Sequence, residues 1–219
     1  FAQIEEKLYF RGITEEVVDY LKEQYGDRFE YVAERDIFDY VYDGEILRTL
    51  KGRKNSKKRN HINYFLSEYE GRFEYRLLGK ADFDDCRQLL DDWTVNKEEN
   101  NNIEEGVDDE RLGIEKLFAH YDQVCDRLKI AGIYIDGKLE AFTMGELLNN
   151  NMALIHIEKA NPEIRGLYPY INQQFLVHEF PDVEFVNREE DMGIEGLRKA
   201  KLSYHPCKFV EKYTVREAN

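Results

Sequence analysis

The chain has 219 residues, with 31 Lys and Arg against 45 Asp and Glu, for a formal charge of −14. That balance excludes broad, charge-driven binding to nucleic acid or anionic membrane, and no DNA partner is expected. The 42% apolar content, with 15 Tyr, 13 Phe and one Trp, supplies a packed core and excludes disorder over most of the length.

The length allows one large domain or two small ones. No stretch approaches the roughly 20 apolar residues of a membrane span. No charged-then-apolar leader opens the chain either. A cytoplasmic location without integral membrane contact is therefore expected. The cysteines Cys86, Cys125 and Cys207 are odd in number and widely spaced. They read as buried thiols in a reducing compartment rather than as a disulfide framework or a zinc site. The five histidines form no HxH or HExxH group, and no metal is expected.

In chain order, residues 8–12 suggest a short strand. A helix follows from Thr14, with Val17, Val18, Leu21 and Tyr25 at helical spacing and Gly26 as its stop. Phe29 to Tyr42 reads as a strand pair or one long bent strand. Ile46, Leu47 and Leu50 suggest a short helix. Arg48, Lys51, Arg53, Lys54, Lys57, Lys58 and Arg59 then form a basic block without an acid among them. It enters a helix whose stripe is Ile62, Phe65, Leu66 and Tyr69. Cations oppose the dipole at a helix N-terminus, so the block is a poor choice for helix stability and a good one for holding an anion. A solvated charge run is the equal alternative.

Phe73–Leu78 reads as a strand, and a helix runs from an Asp82 cap to about Asn96. The acid-rich stretch 98–110 reads as an exposed loop, a plain solvated one in preference to a lid, which is its functional alternative. A long amphipathic helix carries Ile114, Leu117, Phe118, Tyr121, Val124, Cys125 and Leu128. The period then changes. Lys129–Ile135 and Leu139–Leu148 are strands joined at Asp136-Gly137, a hairpin signal, and Met152–Ala160 continues the meander. A helix over about Arg165–Phe180, a strand at Val183–Val186, a helix at Gly193–Leu202 and a last strand at Lys208–Thr214 complete the chain. No G-x-G-x-x-G or P-loop occurs, which argues against a Rossmann-type site.

The order β, α, α, β, β, β, α, β, α, β resembles the GNAT N-acyltransferase fold. The resemblance implies an α/β (α+β) architecture with a mixed, mostly antiparallel sheet flanked by helices. It also implies that the loop and helix N-terminus after the meander, with Arg165 and Gly166, hold a donor's pyrophosphate. A narrower resemblance rests on Gly193-Ile194-Glu195-Gly196-Leu197-Arg198-Lys199-Ala200-Lys201-Leu202-Ser203-Tyr204-His205-Pro206 followed by Glu211-Lys212-Tyr213. Lys57 to Asn63, Ile155 to Ala160 and Asn187 to Gly193 add to it. These strings resemble the C-terminal catalytic domain of bacterial phosphatidylglycerol lysyltransferases and its small soluble relatives. That family tends to carry two GNAT-like units in tandem. The chain starts at Phe1 without an initiator Met, so residues 1–50 read as the C-terminal part of a first GNAT-like unit. Residues 51–219 read as a complete one.

The resemblance implies an acyl- or aminoacyltransferase working by direct attack. Its donor is an acyl-CoA-like thioester or an aminoacyl-tRNA, bound as co-substrate rather than as a permanent cofactor. The −14 charge weighs against a large tRNA footprint, although the basic block could guide a 3′ end. Strand alternation puts His156 and Glu158 on one face, away from Ile155 and Ile157. Glu158, with His156 beside it, is the expected proton acceptor. A structural Glu–Lys pair is the alternative use of such a face.

Tyr204 resembles the GNAT tyrosine that protonates the leaving group; packing of the helix end is its equal alternative. Lys57, Lys58, Arg59, Arg165, Gly166, Arg198 and Lys201 are the candidate donor-binding residues. Asn187, Arg188, Glu189 and Asp191 are the candidate substrate-binding residues, with helix capping as the competing role for Asp191. Tyr168 stands where the GNAT loop carries a small residue. That departure supports a second reading, a non-catalytic GNAT-like module that binds a ligand or partner.

Overall fold

A computed structural model describes the backbone of residues 7–99 and 107–218 and the side chains of residues 7–96 and 109–218. In chain order the elements are β1 (Tyr9–Thr14), α1 (Glu15–Tyr25), β2 (Phe29–Ala33), β3 (Asp39–Asp43), α2 (Gly44–Thr49), α3 (Ser56–Glu68), β4 (Phe73–Leu77), α4 (Phe83–Glu99), α5 (Val107–Ala119) and the single turn α6 (Tyr121–Val124). There follow β5 (Lys129–Ile135), β6 (Lys138–Asn149), β7 (Met152–Ala160), α7 (Leu167–Glu179), β8 (Phe185–Asn187), α8 (Glu195–Leu202), β9 (Lys208–Val210) and β10 (Lys212–Glu217). The fold is mixed α/β and GNAT-like, with antiparallel ladders flanked by helices. It divides into two compact units, Asp43–Val186 and the pair of segments Phe1–Tyr42 and Asn187–Asn219.

In the unit Asp43–Val186, β4, β5, β6 and β7 form successive antiparallel ladders. Asp136 and Gly137 turn the β5–β6 hairpin with φ of 50° and 86°, the left-handed conformation that a two-residue hairpin needs. Helices α4 and α5 cover one face. Their Phe83, Cys86, Leu89, Leu90, Ile114 and Phe118 form a buried cluster with Leu128, Ile130, Phe142 and Met144 of the strands and their approach. The other face takes α3 and α7, where Phe65, Phe73 and Tyr170 pack with ring centroids 4.9–5.4 Å apart. The expected long helix through Leu128 instead ends at Ala119, and α6 restarts for one turn. The acid-rich stretch is divided as well. Residues 98–99 end α4, residues 107–110 begin α5, and residues 100–106, with any lid there, lie outside the described residues.

In the other unit, β10 pairs antiparallel with both β1 and β2, while β3 pairs with β9. The expected Phe29–Tyr42 strand pair therefore does not pair with itself. Residues Arg35–Ile37 form a short 3-10 turn, and each half joins a C-terminal partner. The expected single last strand breaks at Glu211 for the same reason, its two halves serving different ladders. Val18 of α1, Phe29 and Val215 are the buried centre of this small sheet. Of the three cysteines expected to be buried, Cys86 is buried, Cys125 half-buried and Cys207 exposed.

Candidate functional site

Strand β7 carries one of the irregularities of its sheet. Gly145 of β6 faces Ile155 and Met144 faces Ile157, so His156 is an extra residue, a β-bulge. The bulge reverses the facing of the residues on its N-terminal side relative to those on its C-terminal side. Ile155 lies beside Phe175 of α7, where a Cβ on Gly145 would go. Ile157 instead packs on the α4–α5 cluster, and the Thr143 hydroxyl donates to its carbonyl at 2.8 Å. Glu158 then faces α7, where the Asn172 amide Nδ2 donates to its Oε2 at 2.8 Å. His156 reaches Glu146 of β6, 3.3 Å from Nε2 to Oε1. The shared face expected for His156 and Glu158 is thus a correction, caused by the single inserted residue.

The end of β7 is enclosed by aromatic and charged groups. Lys159 is buried, with its ammonium 3.7 Å from the Trp93 ring centroid and 2.6 Å from Glu110. Trp93 donates from Nε1 to the Tyr168 hydroxyl at 3.0 Å. Burial pushes that phenol up to about 12, so it stays protonated. Tyr168 is therefore built into the wall behind β7.

Beyond β7 the chain turns at Gly166, the residue before α7, with φ 91°. A Cβ there would sit 2.1 Å from the carbonyl oxygen of His61 on α3. Only glycine lets the start of α7 lie against α3. That contact brings Arg165, which stacks at 4.7 Å over Tyr64, beside Lys57, Lys58 and His61. Burial lowers the His61 pKa first, and the charges of Arg165, Lys57 and Lys58 lower it further. Among the described residues Lys57 and Arg165 have no carboxylate partner. Arg59 differs: its guanidinium donates to the carbonyls of Leu50 and Gly52, the latter at 2.7 Å, and so ties down the loop before α3.

The remaining candidates lie in the other unit. Asp191 is fully buried. Arg198 of α8 grips it with two hydrogen bonds, 2.8 and 2.7 Å, and reaches Asp36 at 2.6 Å. The Tyr40 hydroxyl donates to the same carboxylate, and the Gly193 amide adds a bond of 2.9 Å. Burial would raise the Asp191 pKa; the bonds from Arg198 and Tyr40 outweigh it and hold the carboxyl at about 2.

Lys201 is also buried, its ammonium held by the Arg188 and Glu189 carbonyls. Asn187 donates to Asp39 at 3.0 Å and accepts from the Glu189 amide at 2.8 Å. These bonds hold Glu189 at φ 54°, a conformation non-glycine residues adopt only when the surroundings impose it. The Arg188 guanidinium lies 4.7 Å from the Tyr204 ring centroid and 5.6 Å from that of Tyr42. Asn187, Arg188, Glu189, Asp191, Arg198, Lys201 and Tyr204 are thus gathered in one unit; Lys57, Lys58, Arg59, His156, Glu158, Arg165 and Gly166 are in the other.

The sequence reading missed Asn172 and His61. Asn172 had a legible signal: it lies four residues before Leu176 and three before Phe175, in the stripe of α7 that faces the sheet, where an apolar side chain is the rule. Among the described residues no group of three or more His, Cys, Asp and Glu lies close enough to hold a metal ion. None of the described helices is long and apolar enough to cross a membrane.

The architecture is a mixed α/β fold shared with solved structures from bacteria. L-PGS from Bacillus licheniformis has the same fold, with a TM-score of 0.65 at 15% identity, covering 99% of this chain and 69% of that one. A conserved protein of unknown function from Bacteroides thetaiotaomicron is 34% identical with a TM-score of 0.88, covering 98% of this chain and 71% of its own. An uncharacterized protein of Mycoplasmoides gallisepticum is 25% identical over 212 residues, 95% of this chain and 65% of that relative's length. Residues 1–216 match the family "Phosphatidylglycerol lysyltransferase, C-terminal", and the chain belongs to that family.

Proposed function

We propose that the chain transfers an acyl or aminoacyl group from a phosphate-bearing donor to an amine or hydroxyl acceptor. Family membership supports the aminoacyl-transferase class. The observation that carries the chemistry is the Glu158 carboxylate, turned toward α7 by the bulge and held there by Asn172. In the proposed step Glu158 takes the proton of the acceptor nucleophile. The nucleophile's lone pair attacks the acyl carbonyl, and the new C–N or C–O bond forms. The donor's C–S or ester C–O bond then breaks, and the leaving thiolate or alkoxide takes up a proton. No covalent enzyme intermediate is involved. Lys57, Lys58 and Arg165 hold the donor's phosphates, a role suited to cations gathered where α3 meets the start of α7. Tyr204 as proton donor to the leaving group belongs to the same reading.

The test is acyl transfer with CoA thioesters and aminoacyl-tRNA as donors and primary amines as acceptors. Glu158→Gln is expected to lower turnover about 10²–10⁴-fold while leaving donor affinity nearly unchanged. Tyr204→Phe should lower turnover in the same direction. The double variant Lys57→Glu, Arg165→Glu should weaken the donor and lower kcat/KM more than kcat. Full turnover by Glu158→Gln would sink the assignment of the base. A second reading, a non-catalytic binding module, is favoured by Tyr168, which occupies the end of β7 through its bond to Trp93. It would be supported by donor binding with no transfer to any acceptor.

A further inference from the structure

Strand β4 lies at the edge of its sheet and, among the described residues, pairs only with β5. The ladder fixes which of its backbone groups are used. The Leu78 amide donates to the Ile130 carbonyl, and the Asp136 amide donates to the Arg72 carbonyl. Backbone groups alternate sides along a strand, so Arg72, Glu74, Arg76 and Leu78 bond toward β5. Phe73, Tyr75 and Leu77 point their N–H and C=O groups away from it. Such a row is a template for another strand, and proteins that forbid the pairing use a proline, a bulge or repelling charges on the edge. β4 has no proline, its register with β5 runs unbroken over Phe73–Leu77, and its two charges have opposite signs.

The order Phe73-Glu74-Tyr75-Arg76-Leu77 complements itself when read backwards. Consider a second copy running antiparallel, with a two-fold axis at Tyr75. Glu74 then faces Arg76 of the second copy, and Arg76 faces its Glu74. On the opposite face Phe73 meets Leu77 of the second copy, which covers a leucine 53% exposed in the single chain. The residues that exchange backbone hydrogen bonds in this register are the ones whose groups point outward. Moving the axis by one residue sets Glu74 against Glu74 or Arg76 against Arg76, and like charges directly opposite oppose pairing. The approach is open on the charged face, where a groove of about 540 Å³ runs beside Glu74 and Arg76. Arg76 bonds Asp82 at 2.8 Å and keeps 43% of its side chain exposed, so it can accept a second carboxylate. On the other face Tyr75 is held back on α7, its ring 4.8 Å from that of His178 and its hydroxyl donating to Glu179 at 3.3 Å.

We propose that β4 is a self-pairing edge. Two copies of this chain join antiparallel at β4, about a two-fold axis at Tyr75, and the sheet β4–β7 continues from one copy into the other. The strand is only five residues long, so the dimer is weak and forms as concentration rises.

The test is sedimentation equilibrium of the chain over a range of concentrations, and a reversible monomer–dimer equilibrium is expected. Glu74→Arg and Arg76→Glu each set like charges face to face twice per dimer. Each should weaken self-association about ten-fold or more. A mixed pair of the two variants again sets a base against an acid at both positions, and should associate as wild type does with itself. Leu77→Pro removes an outward N–H but no bond to β5. It should abolish the dimer and leave the unfolding midpoint of the monomer nearly unchanged. Recovery in the mixture reads the register, which a general apolar contact would not give.

A wild-type chain that is monomeric at every concentration would overturn the proposal. So would a dimer indifferent to Leu77→Pro, or a mixture that associates no better than its components. If Arg76→Glu does not fold beside Asp82 and Asp85, Glu74→Arg and Leu77→Pro decide the matter, since both must weaken the dimer.

Discussion

Asp191 shows how a polar residue near a helix start acquires a role that capping alone does not describe. Its carboxylate is fully buried yet ionised, because Arg198, Tyr40 and the Gly193 amide all donate to it. Its pKa of about 2 lies below the ordinary aspartate value of 3.8. A depressed acid contributes stability above its unfolded pKa and loses it as pH falls through the folded one. The window is therefore pH 4 down to pH 2. The loss is expected to be about 1–2 kcal/mol; Arg198 and Asp36 reach solvent, which screens part of the interaction. Urea unfolding across that range checks it. Asp191→Asn should lack this part of the acid limb, and an unchanged limb would refute the assignment. The same geometry gives Arg198 two carboxylate partners within the chain. Lys57 and Arg165, with no such partners among the described residues, are better placed to meet a ligand's anion.

At the scale of elements, the junction of α3 with α7 depends on one glycine. Gly166→Ala combines a left-handed φ with a Cβ 2.1 Å from a backbone oxygen. It is expected to cost about 2–5 kcal/mol. Gly71 has φ 71° but open space around its Cβ position, so Gly71→Ala should cost only about 1–2 kcal/mol. Denaturant midpoints of the two variants compare the terms directly. Equal losses would mean that the approach of α3 to α7 contributes nothing.

The β5–β6 hairpin was legible from Asp136-Gly137 because a two-residue turn is a local backbone requirement. The bulge at His156 was not. An inserted residue in β7 is defined by the partner strand it faces, and nothing in Ile155–Glu158 announces which residue β6 leaves unpaired. Glu158 was still legible as the candidate carboxylate, since an acid in an apolar strand stands out. Its partner Asn172, fourteen residues away, required the packing of α7.

Over the whole molecule the two units have unequal cores. Asp43–Val186 holds a large apolar cluster across α4, α5 and the sheet. Among the described residues the sheet of β1, β10 and β2 centres on buried Val18, Phe29 and Val215, with half-buried Ile13, Leu21, Tyr31 and Tyr213 packed against them. Since buried apolar area supplies most of the resistance to opening, amides of β5, β6 and β7 should exchange with solvent at higher opening free energy than those of β1, β2 and β10. Native-state hydrogen exchange measures this, and equal protection of the two sets would contradict it. The unit boundary falls after Tyr42 and describes packing. The reading of residues 1–50 as the end of a first GNAT-like unit concerns kinship between segments, a separate question.

Length, composition and charge excluded a membrane-spanning helix and a broadly basic surface at the outset. Periodicity and turn chemistry then determined the element types, the hairpin and the α/β class, because these depend on residues close together in the chain. The motif strings identified the family for the same reason. Only the tertiary structure decided which strands pair: β2 and β3, adjacent in sequence, each take a partner from the last dozen residues. It also decided which cations are already neutralised and which face Glu158 occupies. Strand pairing, ion pairing and facing are set by contacts between residues far apart in sequence, and their energies do not exist until the chain has closed on itself.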